Sequence, residues 1–556
     1  MRTSIESSPQ GTSVRLSHRR ANSCSSASGG FFWSWFVFPV CLVAICGAAV
    51  FIGAVPTRVF GHDIFFLLDN GWRVVNGQRP HIDFASPWGP VTFLVSGLGL
   101  VLSGYTVDGV GYGSAMVGLL IGVWCFRLGR DRLEPIPRVL ISLYLVVLVV
   151  APYSLGWGIF HTSHAMVYNR YGYALLGLVM LESFETVGTQ RREKEEGIGG
   201  LSTGVAVALA LFLKISYFFV AALLIGTSVL LRDLSRRHLL RMFIGFSFVS
   251  IAFLAYVGFD IPAVLGDLKM AAAARSESFP VYHLRWKLLK NTPYLVLIAC
   301  LAVLGSLDEE TTQTRRRTFN PLLLAALVFT ADMLLLFTNQ QPTELPLSTI
   351  FSFFVANRAI VRNRMLADQE AHPSRPACRA VMIAGSIFFL VQFALGCSGL
   401  AYGVLMKANP PNLYSVERFT EPRLVPLVLY DGLSEPTSNG RQYTTYVNEG
   451  IRLLRKSTGS DETVLTMDMM NPFPFALGRR PAVGGIAAAA YRYTLSDTHR
   501  PSDESFFGTA DVVMVPKRPA SPGANFDGIY RIYEPGLHNR FRLAAESDMW
   551  YLYKRK

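Results

Sequence analysis

Long apolar runs with almost no charge recur between residues 31 and 405, and short arginine-rich clusters separate several of them. This pattern limits the possible folds more than any other feature. Inside a bilayer, backbone amides and carbonyls must be satisfied within their own segment, so runs of this length imply helices that cross a membrane. The first run is Phe31 to Val55. Others lie near 110–127, 137–153, 170–187, 199–214, 216–232, 240–259, 290–306, 319–337, 345–360 and 380–405. Only 16% of the 556 residues are charged, whereas a soluble protein has about a quarter. That excludes an ordinary soluble enzyme, a disordered chain and a collagen-like chain. The net charge of +13 does not point to nucleic acid, because much of it sits in clusters between the apolar runs. The clusters are Arg127, Arg130, Arg132 and Arg138; Arg191, Arg192 and Lys194; Arg232, Arg236, Arg237 and Arg241; Arg315 to Arg317; and Arg358 to Arg364. The positive-inside rule puts them all at the cytoplasmic face.

Parity then sets the topology. The apolar run Trp88 to Ser103 would place Arg127 to Arg138 outside if it crossed, so it reads as a re-entrant or interfacial helix at the outer surface. A single helix over 199–232 would be roughly 48 Å long, too long for a bilayer. That stretch reads instead as a hairpin of two short spans with Lys214 at its outer turn. The expected fold is a polytopic α-helical membrane protein of about eleven transmembrane helices. Residues 1–30, rich in Ser and Arg, form a disordered cytoplasmic tail. Phe31 to Val55 is an uncleaved anchor. Residues 31–405 form the membrane domain, whose first external loop is 56–108, and 406–556 form a small external α/β domain. That domain shows strand-like runs at Thr463 to Met467, Asp511 to Val515 and Trp550 to Tyr553, with a helical pattern at Tyr446 to Arg455.

The first external loop carries the chemistry. Phe65, Leu68, Trp72 and Val75 follow helical spacing and predict an amphipathic helix lying at the membrane interface. Gly77 and Pro80 end it. Asp63, at its start, is either a helix cap or a reactive carboxylate. Asp69 and Arg73, four residues apart, read as an ion pair on the helix face. Asp83 either closes the turn or meets substrate. Trp72 and Trp88 read as interface anchors.

An Asp directly after the first span, an amphipathic helix closed by Asn76-Gly77 and Pro80, then Asp83-Phe84 and a Pro-bounded helix resemble the first external loop of GT-C-fold membrane glycosyltransferases. That superfamily includes the protein O-mannosyltransferases and the lipid A aminoarabinose transferase. The likeness covers roughly residues 31–232. It implies transfer of a sugar from a polyprenyl-phosphate donor to a cell-envelope acceptor at the external face. Asp63 matches the family's catalytic carboxylate and would take the acceptor proton. Lys214, in Phe-Leu-Lys-Ile-Ser-Tyr, matches a lysine that meets the lipid phosphate. Where several relatives carry an Asp, this chain has Asn169 and Arg170. Asn169 cannot act as a base, and Arg170 offers a second cation for phosphate. Asp83, Asn169 and His164 are candidate substrate contacts. The resemblance implies membrane lipids and the lipid-linked donor as partners; no cofactor is assigned beyond that donor, with a divalent metal left open.

Other residues carry weaker signals. Asp332 lies inside a span, where charge is costly. His161 and His164 are three residues apart and would hold a metal only with an added carboxylate, so no metal site is assigned. Arg275, Glu277, His283 and Arg285, in the external segment 260–289, read as solvated. Asp468, Arg479 and Arg480 form a candidate group in the C-terminal domain, which reads more simply as an accessory domain. No P-loop, dinucleotide fingerprint or zinc spacing is present. The alternative function is a non-catalytic or transport role in envelope glycan or lipid handling, which would need polar residues strung through several spans.

Overall fold

The structure is a computed structural model that describes residues 24–184, 199–232, 236–276, 281–306, 321–339, 341–365, 375–410, 417–430, 440–519 and 523–556. Most of the expected tail, the basic clusters at 191–194 and 315–317, and Glu277 lie outside the described residues.

Among the described residues, fourteen α-helices precede a mixed C-terminal portion: α1 (Cys24–Ile52), α2 (Asp63–Val75), α3 (Pro90–Leu102), α4 (Gly109–Leu128), α5 (Pro135–Val150), α6 (Val167–Phe184), α7 (Leu201–Leu213), α8 (Ile215–Arg232), α9 (Arg236–Tyr256), α10 (Ile261–Ser276), α11 (Val281–Ser306), α12 (Pro321–Thr338), α13 (Pro346–Met365) and α14 (Arg375–Ala408). By length and composition, α1, α4, α9, α11 and α14 suffice to cross a membrane. Helix α5 has 16 residues, α7 has 13, α6, α8 and α12 have 18 each, and α13 has 20. Each expected span therefore forms as a helix.

The surface of this bundle is inverted relative to a soluble protein. Helix α9 exposes Phe243, Ile244, Phe248 and Ile251, while its buried residues are Gly245 and Ser250. Large apolar side chains outside and small residues inside are what a helix needs when its surroundings are hydrocarbon. The small residues allow close backbone approach. A Cβ on Gly204 of α7 would lie 2.0 Å from the Met242 carbonyl of α9.

Three basic segments meet at one end of the bundle. Arg364, in the last turn of α13, pairs with Glu134 at 2.5 Å. Gly199, just before α7, lies beside Arg132 and His238. Asp332, in α12, is explained by helix capping. Its carboxylate accepts from the Leu347 amide at 3.2 Å, the Ser348 amide at 2.7 Å and the Ser348 hydroxyl at 2.7 Å. These satisfy amides that the first turn of α13 would otherwise leave without partners.

After α14 the chain forms α15 (Gly440–Ser457), β1 (Val464–Thr466), α16 (Phe473–Leu477), α17 (Asp503–Phe507), β2 (Val512–Pro516), α18 (Gly523–Arg540), β3 (Phe541–Glu546) and β4 (Trp550–Arg555). The sheet order is β1-β2-β4-β3; β1 runs parallel to β2 and the other pairs are antiparallel. Three of the strands coincide with sequence expectations. Strand β3 was not anticipated, because the alternation of Phe541-Arg-Leu-Ala-Ala-Glu is broken at a register shift near Leu543 and Ala545.

Helix α2 overturns its expected setting. Every residue from Ile64 to Arg73 is buried, because the C-terminal portion covers the face expected to meet water and headgroups. Trp72 donates its indole N–H to the Arg479 carbonyl at 2.8 Å and is no lipid-facing anchor. Asn70 reaches the Ala487 carbonyl at 2.9 Å, and Gln78 the Pro481 carbonyl at 2.8 Å. The expected pair of Asp69 and Arg73 forms at 3.2 Å, but inside a core rather than on a wet helix face. Helix α10 likewise is docked onto the loop: Asp267 accepts from the Ser86 amide at 2.8 Å and lies 2.9 Å from His81 Nδ1.

Candidate functional site

Three features of the chain build one cavity of about 280 Å³ at the end of the bundle away from the basic cluster. The first is the start of α2. Helix α2 begins without a side-chain cap, so the Asp63 carboxylate is not consumed as one. It sits 3.2 Å from His62 Nε2 and lines the cavity. Burial alone would lower the His62 imidazole. The charge and hydrogen bond of Asp63, with the charge of Asp468, hold it above its ordinary value.

The second feature is the break between α7 and α8. Lys214 takes an extended conformation there (φ −164°, ψ 127°), which ends α7 and frees its side chain from either helix. Its ammonium donates to Asn339 Oδ1 at 2.5 Å, is 3.4 Å from the Thr338 carbonyl, and lies 5.7 Å from the Tyr168 ring centroid. Burial, with the charge of Arg275, pushes its pKa down to about 7. The break is tied to the first loop: the Gly89 amide donates to the Leu213 carbonyl at 3.1 Å. No side chain fits at Gly89, since a Cβ there would lie 2.0 Å from the Phe212 carbonyl.

The third feature is α10, whose Arg275 lines the cavity and donates to the carbonyls of Phe337 at 2.7 Å and Thr338 at 3.0 Å. Its guanidinium stacks 4.5 Å from the Tyr493 ring of the C-terminal portion. Met469, Ala488 and Thr494 complete that wall. Trp88 and Tyr168 supply aromatic surface.

The cavity sorts the residues expected from sequence. Asp63, Asn169 and Lys214 line it together. Asn169 is 3% exposed and its Oδ1 has no hydrogen-bond partner among the described residues. Arg170 is not at the cavity. Its guanidinium donates to the Leu148 carbonyl at 2.8 Å and to the Tyr153 carbonyl, closing the C-terminal end of α5, so it is spent on structure. Asp83 closes the turn instead, accepting from the Arg79 amide at 2.7 Å. His164 accepts from the Val55 amide at 3.1 Å, and burial pushes it down to about 4, so it acts as a neutral structural acceptor.

Arg275 is the cavity residue that sequence reasoning assigned to solvent. An arginine between two apolar spans carries no sign of which carbonyls it will reach. The Ala-rich stretch Met270 to Ala274 just before it is the one legible hint that this segment is a packed helix. Asp468 is held by the Tyr446 hydroxyl at 2.6 Å, and Arg479 donates to Thr458 at 2.9 Å, so they do not act as one group. Among the described residues no three His, Cys, Asp or Glu side chains gather as a metal site.

No family model matches the sequence, and no curated protein matches it. Solved structures are similar to it at low identity. One is the crystal structure of ArnT from Cupriavidus metallidurans bound to undecaprenyl phosphate (12% identity, 92% of this chain, 97% of that chain, TM-score 0.46). Another is the oligosaccharyltransferase AglB from Archaeoglobus fulgidus in complex with an inhibitory peptide and a dolichol-phosphate (10% identity, 87% of this chain, 70% of that chain, TM-score 0.34). A third is an A. fulgidus oligosaccharyltransferase tethered to an acceptor peptide (11% identity, 93% of this chain, 74% of that chain, TM-score 0.38).

Proposed function

We propose that this chain is an integral-membrane glycosyltransferase that moves a sugar from a polyprenyl-phosphate donor to a cell-envelope acceptor at the external face. One observation supports this most. A carboxylate from the first loop and an ammonium from a helix break far along the chain line the same cavity, with a guanidinium beside them. In this reading α1 starts from the cytoplasm, the basic end of the bundle faces inward, and the C-terminal portion roofs the site outside. The meeting of Arg364, Glu134, Arg132 and His238 at one end supports that orientation.

The acceptor hydroxyl attacks the anomeric carbon of the donor and its proton passes to the Asp63 carboxylate. The bond from that carbon to the phosphate oxygen breaks, and the leaving polyprenyl phosphate gains a negative charge. Lys214 and Arg275 meet that charge as it develops. The unpartnered Oδ1 of Asn169 suits a hydroxyl donor on the substrate. Arg170, Asp83 and His164 take no part. Asp332, the acidic residue read inside a span, gives no support to the transport reading, since its carboxylate caps α13.

The test is mass spectrometry of envelope glycans and glycoproteins from cells that contain the chain, lack it, or carry Asp63→Asn. The variant should reach the membrane in normal amount and lose transfer by roughly 10²–10⁴-fold. Full transfer by that variant would sink the assignment.

A further inference from the structure

We propose that Asn339 is a positioning residue that aims the Lys214 ammonium at an anionic headgroup, from a seat formed by the last carbonyls of α12. This inference rests on the reading of Lys214 as a cation for that headgroup. Three cationic side chains from three parts of the chain converge on this helix end. Lys214 donates to Asn339 Oδ1 at 2.5 Å. Arg275 of α10 donates to the Phe337 and Thr338 carbonyls. Lys287 of α11 donates to the carbonyls of Leu336 at 2.6 Å and Asn339 at 3.1 Å. A helix C-terminus leaves four carbonyls without intrahelical partners and carries about half a negative charge. It therefore gathers cations that would otherwise repel one another.

Asn339 does what the carbonyls cannot, because its side chain has a fixed direction. It is 2% exposed, and its Nδ2 donates to the Tyr217 hydroxyl at 3.2 Å, which turns Oδ1 toward Lys214. Tyr217 is itself fully buried, with its ring against Tyr173 at 5.5 Å. A neutral amide oxygen holds the ammonium in place without cancelling its charge, so the charge remains for an anion. A carboxylate at this position would hold the lysine more strongly and repel phosphate. Arg275 from α10, Asp63 from α2, Tyr168 from α6 and Tyr493 from the C-terminal portion line the cavity with Lys214, while Lys287 from α11 and Tyr217 from α8 contact Asn339. The Asn339 amide oxygen favours the protonated amine, together with the Thr338 carbonyl and the Tyr168 ring.

The test uses the full chain in detergent with undecaprenyl phosphate as the probe, its binding measured from about pH 6 to about pH 9. In the natural protein, after correction for the probe's own phosphate ionisation at about 6, affinity should fall as pH rises through about 7, the value to which burial and Arg275 push Lys214. Asn339→Leu should bind about tenfold more weakly at neutral pH, and its fall should begin at lower pH. Asn339→Asp should also bind more weakly, but its fall should move to higher pH, because a carboxylate stabilises the ammonium. Asn339→Gln, which keeps the amide, should stay closest to the natural profile and carries the comparison if the leucine variant does not accumulate. Opposite displacements by Leu and Asp support the assignment. A midpoint that neither moves overturns it, even with weakened binding, since a merely structural residue would produce that. Lys214→Met separates the two readings. If it binds the probe normally, the headgroup role of Lys214 fails; if it loses binding while the Asn339 profiles stay fixed, only the role of Asn339 fails.

Discussion

Replacing Arg73 by methionine should unfasten the first loop from the C-terminal portion. Arg73 is 1% exposed, and its Nε lies 3.2 Å from Asp69 Oδ2. Its Nη1 donates to Gln78 Oε1 and to the carbonyls of Ala482 and Gly484, each at 3.1 Å. Methionine retains much of the stem but none of the donors. Asp69 would be left buried without its counter-ion, and its Oδ1 already has no hydrogen-bond partner. Removing one side of a buried ion pair costs about 3–5 kcal/mol, which is about 3–4 °C in Tm for a chain of 556 residues. The pH dependence gives a sharper check. Burial already raises Asp69 above its ordinary pKa, and Arg73 opposes that rise. Without Arg73 the folded-state pKa climbs further above the unfolded value of about 3.9. The folded variant then binds a proton more tightly than the unfolded chain, so its stability increases as pH falls between those two values, by up to about 1.4 kcal/mol per pH unit. The deficit of Arg73→Met should therefore shrink between about pH 7 and about pH 5. Adding Asp69→Leu should recover part of the loss, because it removes the stranded charge. Thermal unfolding of the detergent-solubilised chain, with limited proteolysis of residues 440–556, measures both effects. A variant that melts within about 2 °C of the natural protein at neutral pH, or whose deficit does not change with pH, would refute the claim that Arg73 compensates a buried charge.

Two further outcomes follow from the same geometry. Gly89→Ala places a methyl 2.0 Å from the Phe212 carbonyl; it should cost about 1–3 kcal/mol and weaken undecaprenyl phosphate binding, because the loop is displaced from the break at Lys214. Normal affinity in a folded Gly89→Ala variant would show that this contact does not position the site. Asp332→Leu removes the acceptor for three donors at the start of α13 and should lower stability by about 2–4 kcal/mol, read as thermal unfolding, with little change in probe affinity.

The apolar runs made the helices legible. A hydrocarbon environment demands length and low charge, and both are properties of a local stretch. The break at Lys214 was legible for the same reason, since one helix over 199–232 would overrun a bilayer. Asp63 and Lys214 stood out through the resemblance of their loop and turn to a known family, a likeness read from short stretches of sequence. What sequence could not reveal was the face each residue would meet. Helix α2 has an amphipathic pattern, and the pattern says only that one side differs from the other. The polar side proved to contact backbone carbonyls of residues 482–487, not water or headgroups. Arg170 and Arg275 show the same limit from opposite directions. Arg170 lies in the first turn of α6 and Arg275 in the last turn of α10; one closes α5 and the other lines the cavity, and neither its own type nor its neighbours distinguishes them. Local chemistry thus determined which segments are helical and that Asp63 opens the loop after the first span. Only the packing of distant segments decided which charges share a cavity, because hydrogen-bond partners hundreds of residues away are chosen by geometry after the helices have formed.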